Sequence, residues 1–293
     1  MAKMNRYLLW YHATRPKTLI ATLCPVIIGG LLAFKDGYFN FFLFIATLIS
    51  ATCIQIGSNL ANDYLDAKNG KDTPHRLGPS RMTTKGLVTE KAMKNATFIV
   101  FFLALVSGVP LMIHAGAPIV IIGVLSLFFG YIYTGGPYPL AYNGWGEVFV
   151  FLFFGPVATI GTYYVQQLTY SVEATLYGMS IGCLSIALLS VNNLRDREED
   201  ALTKKNTLAV RFGDTFARFE YLFACTGAFL LPVVWGLFTQ ELRLVWFISG
   251  LVFCVTPITS ILSLPKNKLN RLLGQTAKLF VIFVLLLMIS FIN

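Results

Sequence analysis

The sequence predicts an all-α polytopic membrane protein with nine transmembrane helices, and three observations carry that prediction. Of the 293 residues, 56% are hydrophobic and only 13% charged, a balance too apolar for a water-soluble domain of this length. Residues 95–146 contain no Asp, Glu, Lys or Arg. That stretch has room for two helical crossings and a tight turn, because one crossing takes ~20 residues. The basic residues, finally, gather in alternate connections.

Taken in order, the apolar runs are 18–34, 39–61, 95–114, 118–133, 147–166, 174–192, 219–238, 244–264 and 273–292. The first follows Lys3, Arg6, Arg15 and Lys17 in the manner of a signal peptide. Another span follows at once without a small-residue cleavage site, so the run reads as a helix that stays. The second ends in the polar segment Asn62-Asp63-Tyr64-Leu65-Asp66. The third and fourth share the charge-free stretch, and the fourth is the shortest. Glu147 opens the fifth, and the sixth runs into Asp196-Arg197-Glu198-Glu199-Asp200. Three spans follow Arg218, the last interrupted early by Lys278. The five cysteines fall in apolar runs with no CxxC pair, and they read as small buried hydrophobes.

With the N-terminus inside, that side collects 21 of the 23 Lys and Arg residues, leaving Lys35 and Arg243 outside. The positive-inside rule then sets the N-terminus in the cytoplasm and the C-terminus outside. An odd number of spans is what makes the alternation work. The net charge of +9 belongs to the inner face, where it attracts anionic lipid. Nucleic-acid binding is disfavoured, because the basic residues sit on loops flush with a bilayer. The chain reads as one domain over 1–293, with long cytoplasmic connections at 62–94 and 193–218. These follow spans 2 and 6, which run in the same direction. A parallel internal repeat results, unlike the inverted repeats of many transporters.

Both long connections open on an acidic cluster, and with Asp72 the clusters hold seven of the fourteen carboxylates. Residues four apart share a helix face, as do Asn62 and Asp66, and Asp196 and Asp200. Each cluster can therefore point two oxygen ligands at one spot below its helix. Gly70 lets the chain turn so that Asp72 returns to the same place. Magnesium takes hard oxygen ligands, few from protein, and is commonly completed by water and substrate phosphate. Two such pairs suit one or two ions bridging a diphosphate, with Arg76, Arg81, Lys204, Lys205 and Arg211 near enough to share its charge. The competing reading is a solvated loop in which acids merely offset bases. For Glu198 and Glu199 that reading is the better one.

The segment NDYLD with Asp72, Arg81-x4-Gly86, and NNLRDREED at 192–200 resemble the UbiA superfamily of intramembrane prenyltransferases. RPKTL at 15–19, DTPHRLGP at 72–79, YTGGPYPL at 133–140, FFGPVATIGTYYVQ at 153–166 and KNTLAVRFG at 205–213 look like its naphthoate-prenylating branch. The resemblance implies nine helices around a central cavity that opens to the cytoplasmic face and to lipid. It implies Asn62, Asp66 and Asp72 as one metal motif, Asp196 and Asp200 as the other, and Arg81 and Lys205 on diphosphate. Two departures stand out. The wider superfamily keeps the last acid of the first motif where Gly70 lies, and Asp72 comes two residues later, as in the naphthoquinone-type branch. The Tyr-Pro-x-x-Lys-type segment of the hydroxybenzoate branch is missing, since Ala141-Tyr142 follows YTGGPYPL with no lysine.

The implied reaction is magnesium-dependent, with manganese as a substitute. It transfers a polyprenyl group from polyprenyl diphosphate to 1,4-dihydroxy-2-naphthoate with loss of carbon dioxide, giving demethylmenaquinol. The expected setting is a bacterial-type inner membrane, with the site facing the cytoplasm and no obligate protein partner. Homogentisate or a hydroxybenzoate is the alternative acceptor. A cation-coupled transporter is the reading from another class. It is disfavoured because the acids sit at one membrane face instead of the midplane. Asp66, Asp196, Asp200 and Asn62 are the expected catalytic set, and Arg76 and Arg211 join Arg81 and Lys205 as diphosphate candidates. Asp63, Tyr133, Glu147, Tyr164, Asn192 and Asn193 are candidates to contact the acceptor or support the ligands. For Tyr133 and Tyr164 aromatic-belt anchoring stays open, and for Glu147 an ordinary boundary charge.

Overall fold

The computed structural model describes residues 5–72, 77–78 and 81–292, and every regular element among them is helical. A short helix α1 (Arg6–Ala13) turns through Arg15 into α2 (Pro16–Lys35). Pro16 suits the first helical position, where its missing N–H would have had no carbonyl partner. Next come α3 (Phe41–Lys68), α4 (Glu90–Ala115) and α5 (Ala117–Ile132). A 3-10 turn at Leu140–Tyr142 leads to α6 (Gly146–Leu152), a π-helical turn at Phe153–Val157, and α7 (Ala158–Gln167). The rest is α8 (Val172–Leu202), α9 (Leu208–Thr239), a 3-10 stretch at Leu242–Ser249, α10 (Gly250–Ser263) and α11 (Asn270–Ile292). Four of these helices start alike. The side-chain oxygens of Asn40, Thr89, Ser171 and Thr207 each accept from the N–H three residues on.

Together α6 and α7 make one crossing of 22 residues. It widens at Pro156, which has no N–H to give. A Cβ on Gly155 would lie 2.5 Å from the Gly178 carbonyl oxygen and 2.7 Å from the Gly182 Cα, so the bend meets α8 backbone to backbone.

Among the described residues eight helices are long and apolar enough to cross a membrane, which makes the chain an integral membrane protein. The expected ninth, α5, is apolar but has 16 residues. That is about 24 Å of helix against a ~30 Å hydrocarbon core. Its apolar run stops at Thr134-Gly135-Gly136, where Gly136 takes φ 78°. The expected side-to-side alternation of charge has a counterpart in contacts. Lys35 and Arg243 share one face, 2.7 and 3.8 Å from Glu173. On the other, Lys205 lies 3.2 Å from Asp66, so the two long connections do share a face.

The most buried span is α8, packed in the main core with residues of α2, α9, α10 and α11. Beside it a cavity of about 290 Å³ opens between α2, α3, α4, α5, the α6–α7 crossing and α8.

Candidate active site

Two helix ends build the site, and they are built alike. Asp66-Ala67-Lys68-Asn69-Gly70-Lys71 closes α3, and Asp200-Ala201-Leu202-Thr203-Lys204-Lys205 closes α8. In the first, Asn69, Gly70 and Lys71 donate backbone N–H to Leu65, Ala67 and Asp66 at 2.9, 3.2 and 2.8 Å. In the second, Thr203, Lys204 and Lys205 donate to Glu199, Ala201 and Asp200 at 2.9, 3.2 and 2.8 Å. Gly70 and Lys204 hold the left-handed position of this Schellman-type cap at φ 63° and 58°. The acidic motifs are thus structural repeats. Asp66 corresponds to Asp200, Asn62 to Asp196 and Lys71 to Lys205.

Between the two ends lies a neutral cluster of four charges. Asp66 receives Arg81 Nη2 at 2.7 Å and has Lys205 Nζ at 3.2 Å. Asp72 has Arg81 Nε at 2.8 Å and Lys205 Nζ at 3.8 Å. All four residues are at most 8% exposed. Unpaired charges at that depth would be strongly destabilising, whereas two anions against two cations are tolerable. The Tyr142 hydroxyl also donates to Asp66. Burial, and then the adjacent Asp66 carboxylate, push the Tyr142 phenol well above its ordinary range, so it stays a neutral donor.

Asp63 has a different role from its neighbours. Its two oxygens accept from the Met82 and Thr83 N–H groups, each at 2.9 Å, and so hold the connection that carries Arg81. Asn62, Tyr133 and Asn192 line the cavity. The Asn62 oxygen accepts from the Thr134 hydroxyl, and the Asn192 amide donates to the Leu188 carbonyl at 3.1 Å. Glu147 is buried and accepts from Asn193 at 2.8 Å, outside the cavity lining.

Three expectations meet a different arrangement. Asp196, expected to face a metal beside Asp200, is gripped by both arms of Arg195 at 2.7 Å. Arg195 is itself fully buried and requires a counter-charge, which explains the grip. Arg211, expected on diphosphate, donates to the carbonyls of Asn206 and Asn143 at 3.0 and 2.8 Å, fastening one connection to the other. Tyr164 packs with Leu43, Ala46 and Leu111 in a small core near the opposite face. Arg76 lies outside the described residues. Among the described residues no three His, Cys, Asp or Glu side chains are grouped to hold a metal ion.

The donor chemistry nonetheless fits a divalent ion entering with an anion. Arg81 and Lys205 now satisfy Asp66 and Asp72. An incoming diphosphate competes for those two cations, and the carboxylates it releases are hard oxygen ligands of the kind a divalent ion takes. Sequence reasoning missed Tyr142, Arg195, Thr134 and Lys71. Tyr142 gave one faint signal, as the residue closing Tyr138-Pro139-Leu140-Ala141 where a lysine was sought. The repeated Asp-Ala-x-x-x-Lys was also there to be read.

Known proteins share this architecture and sequence. The UbiA prenyltransferase family matches residues 22–287. A 1,4-dihydroxy-2-naphthoate octaprenyltransferase of Escherichia coli (strain K12) is 37% identical, over 81% of this chain and 79% of its own. One from Mycobacterium tuberculosis is 34% identical, over 85% and 83%. A UbiA homologue from Archaeoglobus fulgidus, solved bound to GPP and Mg2+, superposes with a TM-score of 0.69 over 94% of this chain and 97% of that one, at 14% identity. The length of the match and the identity to these relatives establish that the chain belongs to the UbiA prenyltransferase family.

Proposed function

We propose that this chain transfers a polyprenyl group from polyprenyl diphosphate to 1,4-dihydroxy-2-naphthoate, with loss of carbon dioxide, giving demethylmenaquinol. The observation that carries it is the joint seating of Arg81 and Lys205 on Asp66 and Asp72, with Asp66 one helical turn beyond Asn62, which lines an apolar cavity. A charged head and a hydrocarbon tail are the two halves of a prenyl diphosphate. The named relatives act on the same acceptor.

In this reading Arg81 and Lys205 turn from the carboxylates to the diphosphate oxygens and hold the leaving group. Asn62, Asp66, Asp72 and Asp200 would hold magnesium, with Asp196 kept on Arg195 beside them, and the ion when bound would neutralise charge on the departing diphosphate. The allylic C–O bond breaks and the diphosphate leaves with the bonding pair. The ring carbon bearing the carboxylate supplies the electrons of the new C–C bond. Carbon dioxide then departs, leaving its pair to restore the aromatic ring. Phe129, Phe149 and Phe153 on the cavity wall keep water from the cation. The alternation of basic residues supports a site facing the cytoplasm of an inner membrane.

Mass spectrometry of products tests the reading. Membranes carrying the chain would be offered dihydroxynaphthoate, hydroxybenzoate and homogentisate, each with one polyprenyl diphosphate. A decarboxylated prenyl product from the naphthoate alone is expected. Product from another acceptor alone would reassign the substrate, and none from any would end the proposal.

A further inference from the structure

Tyr142 lies between the two helix ends and is tied to both. Its hydroxyl donates to Asp66 in the first cap. Its carbonyl accepts from the Asn206 N–H, 2.8 Å away, just past the second. The two cap lysines cross over its ring. Lys71, from the first cap, donates to the Thr203 carbonyl of the second at 2.5 Å. Lys205, from the second, lies 3.2 Å from Asp66 of the first. Their ammonium groups stand 5.4 and 5.3 Å from the Tyr142 ring centroid. An aromatic ring attracts each cation and offsets part of the repulsion between the two. The ring is buried, so water does little to screen these contacts.

We propose that Tyr142 is a positioning residue for the prenyl transfer, clasping the two acidic helix ends at the separation where one diphosphate meets both. The proposal rests on the prenyl-diphosphate reading and adds a residue outside every acidic and basic motif. Tyr142 acts through Asp66 and Lys205, with no contact to substrate required. The hydroxyl fixes the carboxylate, and the ring fixes the crossing of the lysines.

Spin labels on Lys68→Cys and Leu202→Cys, exposed residues on the two caps, would report the separation by pulsed electron resonance. The measurement uses the full chain in a background free of its native cysteines. The Y142L variant is expected to broaden the ligand-free distance distribution, and magnesium with inorganic pyrophosphate to narrow it again. Y142F keeps the ring and broadens it less. In kinetics, Y142L should raise KM for the prenyl diphosphate about tenfold and Y142F about threefold, with KM for the aromatic acceptor unchanged. A native distribution in Y142L overturns the proposal, as does a fall in kcat with both KM values unchanged. Should Y142L fail to insert, native width and native KM in Y142F overturn it equally. The label measurement needs no turnover. Broadening in a chain that transfers no prenyl group would keep the clasp and reject the reaction.

Discussion

Lys205, which closes the cap of α8, lies 3.2 Å from Asp66, which opens the cap of α3. This ion pair joins the two acidic motifs, and Arg81 and Asp72 complete its charge balance. Protein cations occupy the place where substrate and metal are proposed to go. Most of what the site should do in solution follows from that substitution.

Lys205→Gln removes one positive charge from the cluster and one proposed diphosphate contact. KM for the prenyl diphosphate should rise about tenfold, with a smaller change in kcat. Steady-state kinetics on the purified variant check this. Unchanged KM would remove Lys205 from the diphosphate site.

Turnover should vanish on chelation and return with magnesium or manganese, because the ligand set is all oxygen. Manganese binding, followed by electron resonance, should tighten about tenfold when inorganic pyrophosphate is present, since Arg81 and Lys205 then leave the carboxylates. Equal affinity with and without pyrophosphate would contradict this exchange.

Gly155→Ala places a methyl group against backbone atoms of Gly178 and Gly182, neither of which can step aside. A loss of about 1–3 kcal/mol is expected, read as a lower midpoint of thermal unfolding. Gly227→Ala is the control, because nothing lies within 4 Å of its added carbon. Equal midpoints for the two variants would refute the close packing of the bend.

The membrane class, the long spans and the pairing of the two connections were legible in the sequence, because hydropathy and charge alternation are set by the bilayer itself. Asp66 was singled out by its spacing from Asn62, and Asp72, Arg81 and Lys205 by the family resemblance; the structure brings the four together. The short α5 was one of the two weakest spans, and the structure shows why: its 16 residues fall short of the hydrocarbon core, and tilt would only shorten their reach. Asp196 and Arg211 illustrate the limit. Their residue types suit ligand binding, yet burial of Arg195 captures one, and nearby carbonyls hold the other. Tyr142 gave only the faint signal of standing where a lysine was sought, because its role arises when two distant helix ends are brought together.

Asp66 joins Arg81, Lys205 and Tyr142, and so it carries the account's central claim. The direct test is prenyl transfer by purified Asp66→Asn, with insertion and monodispersity verified beside the unaltered protein. The account predicts at least about a hundredfold loss of turnover in a chain that still inserts and folds. Full activity in that variant would contradict it.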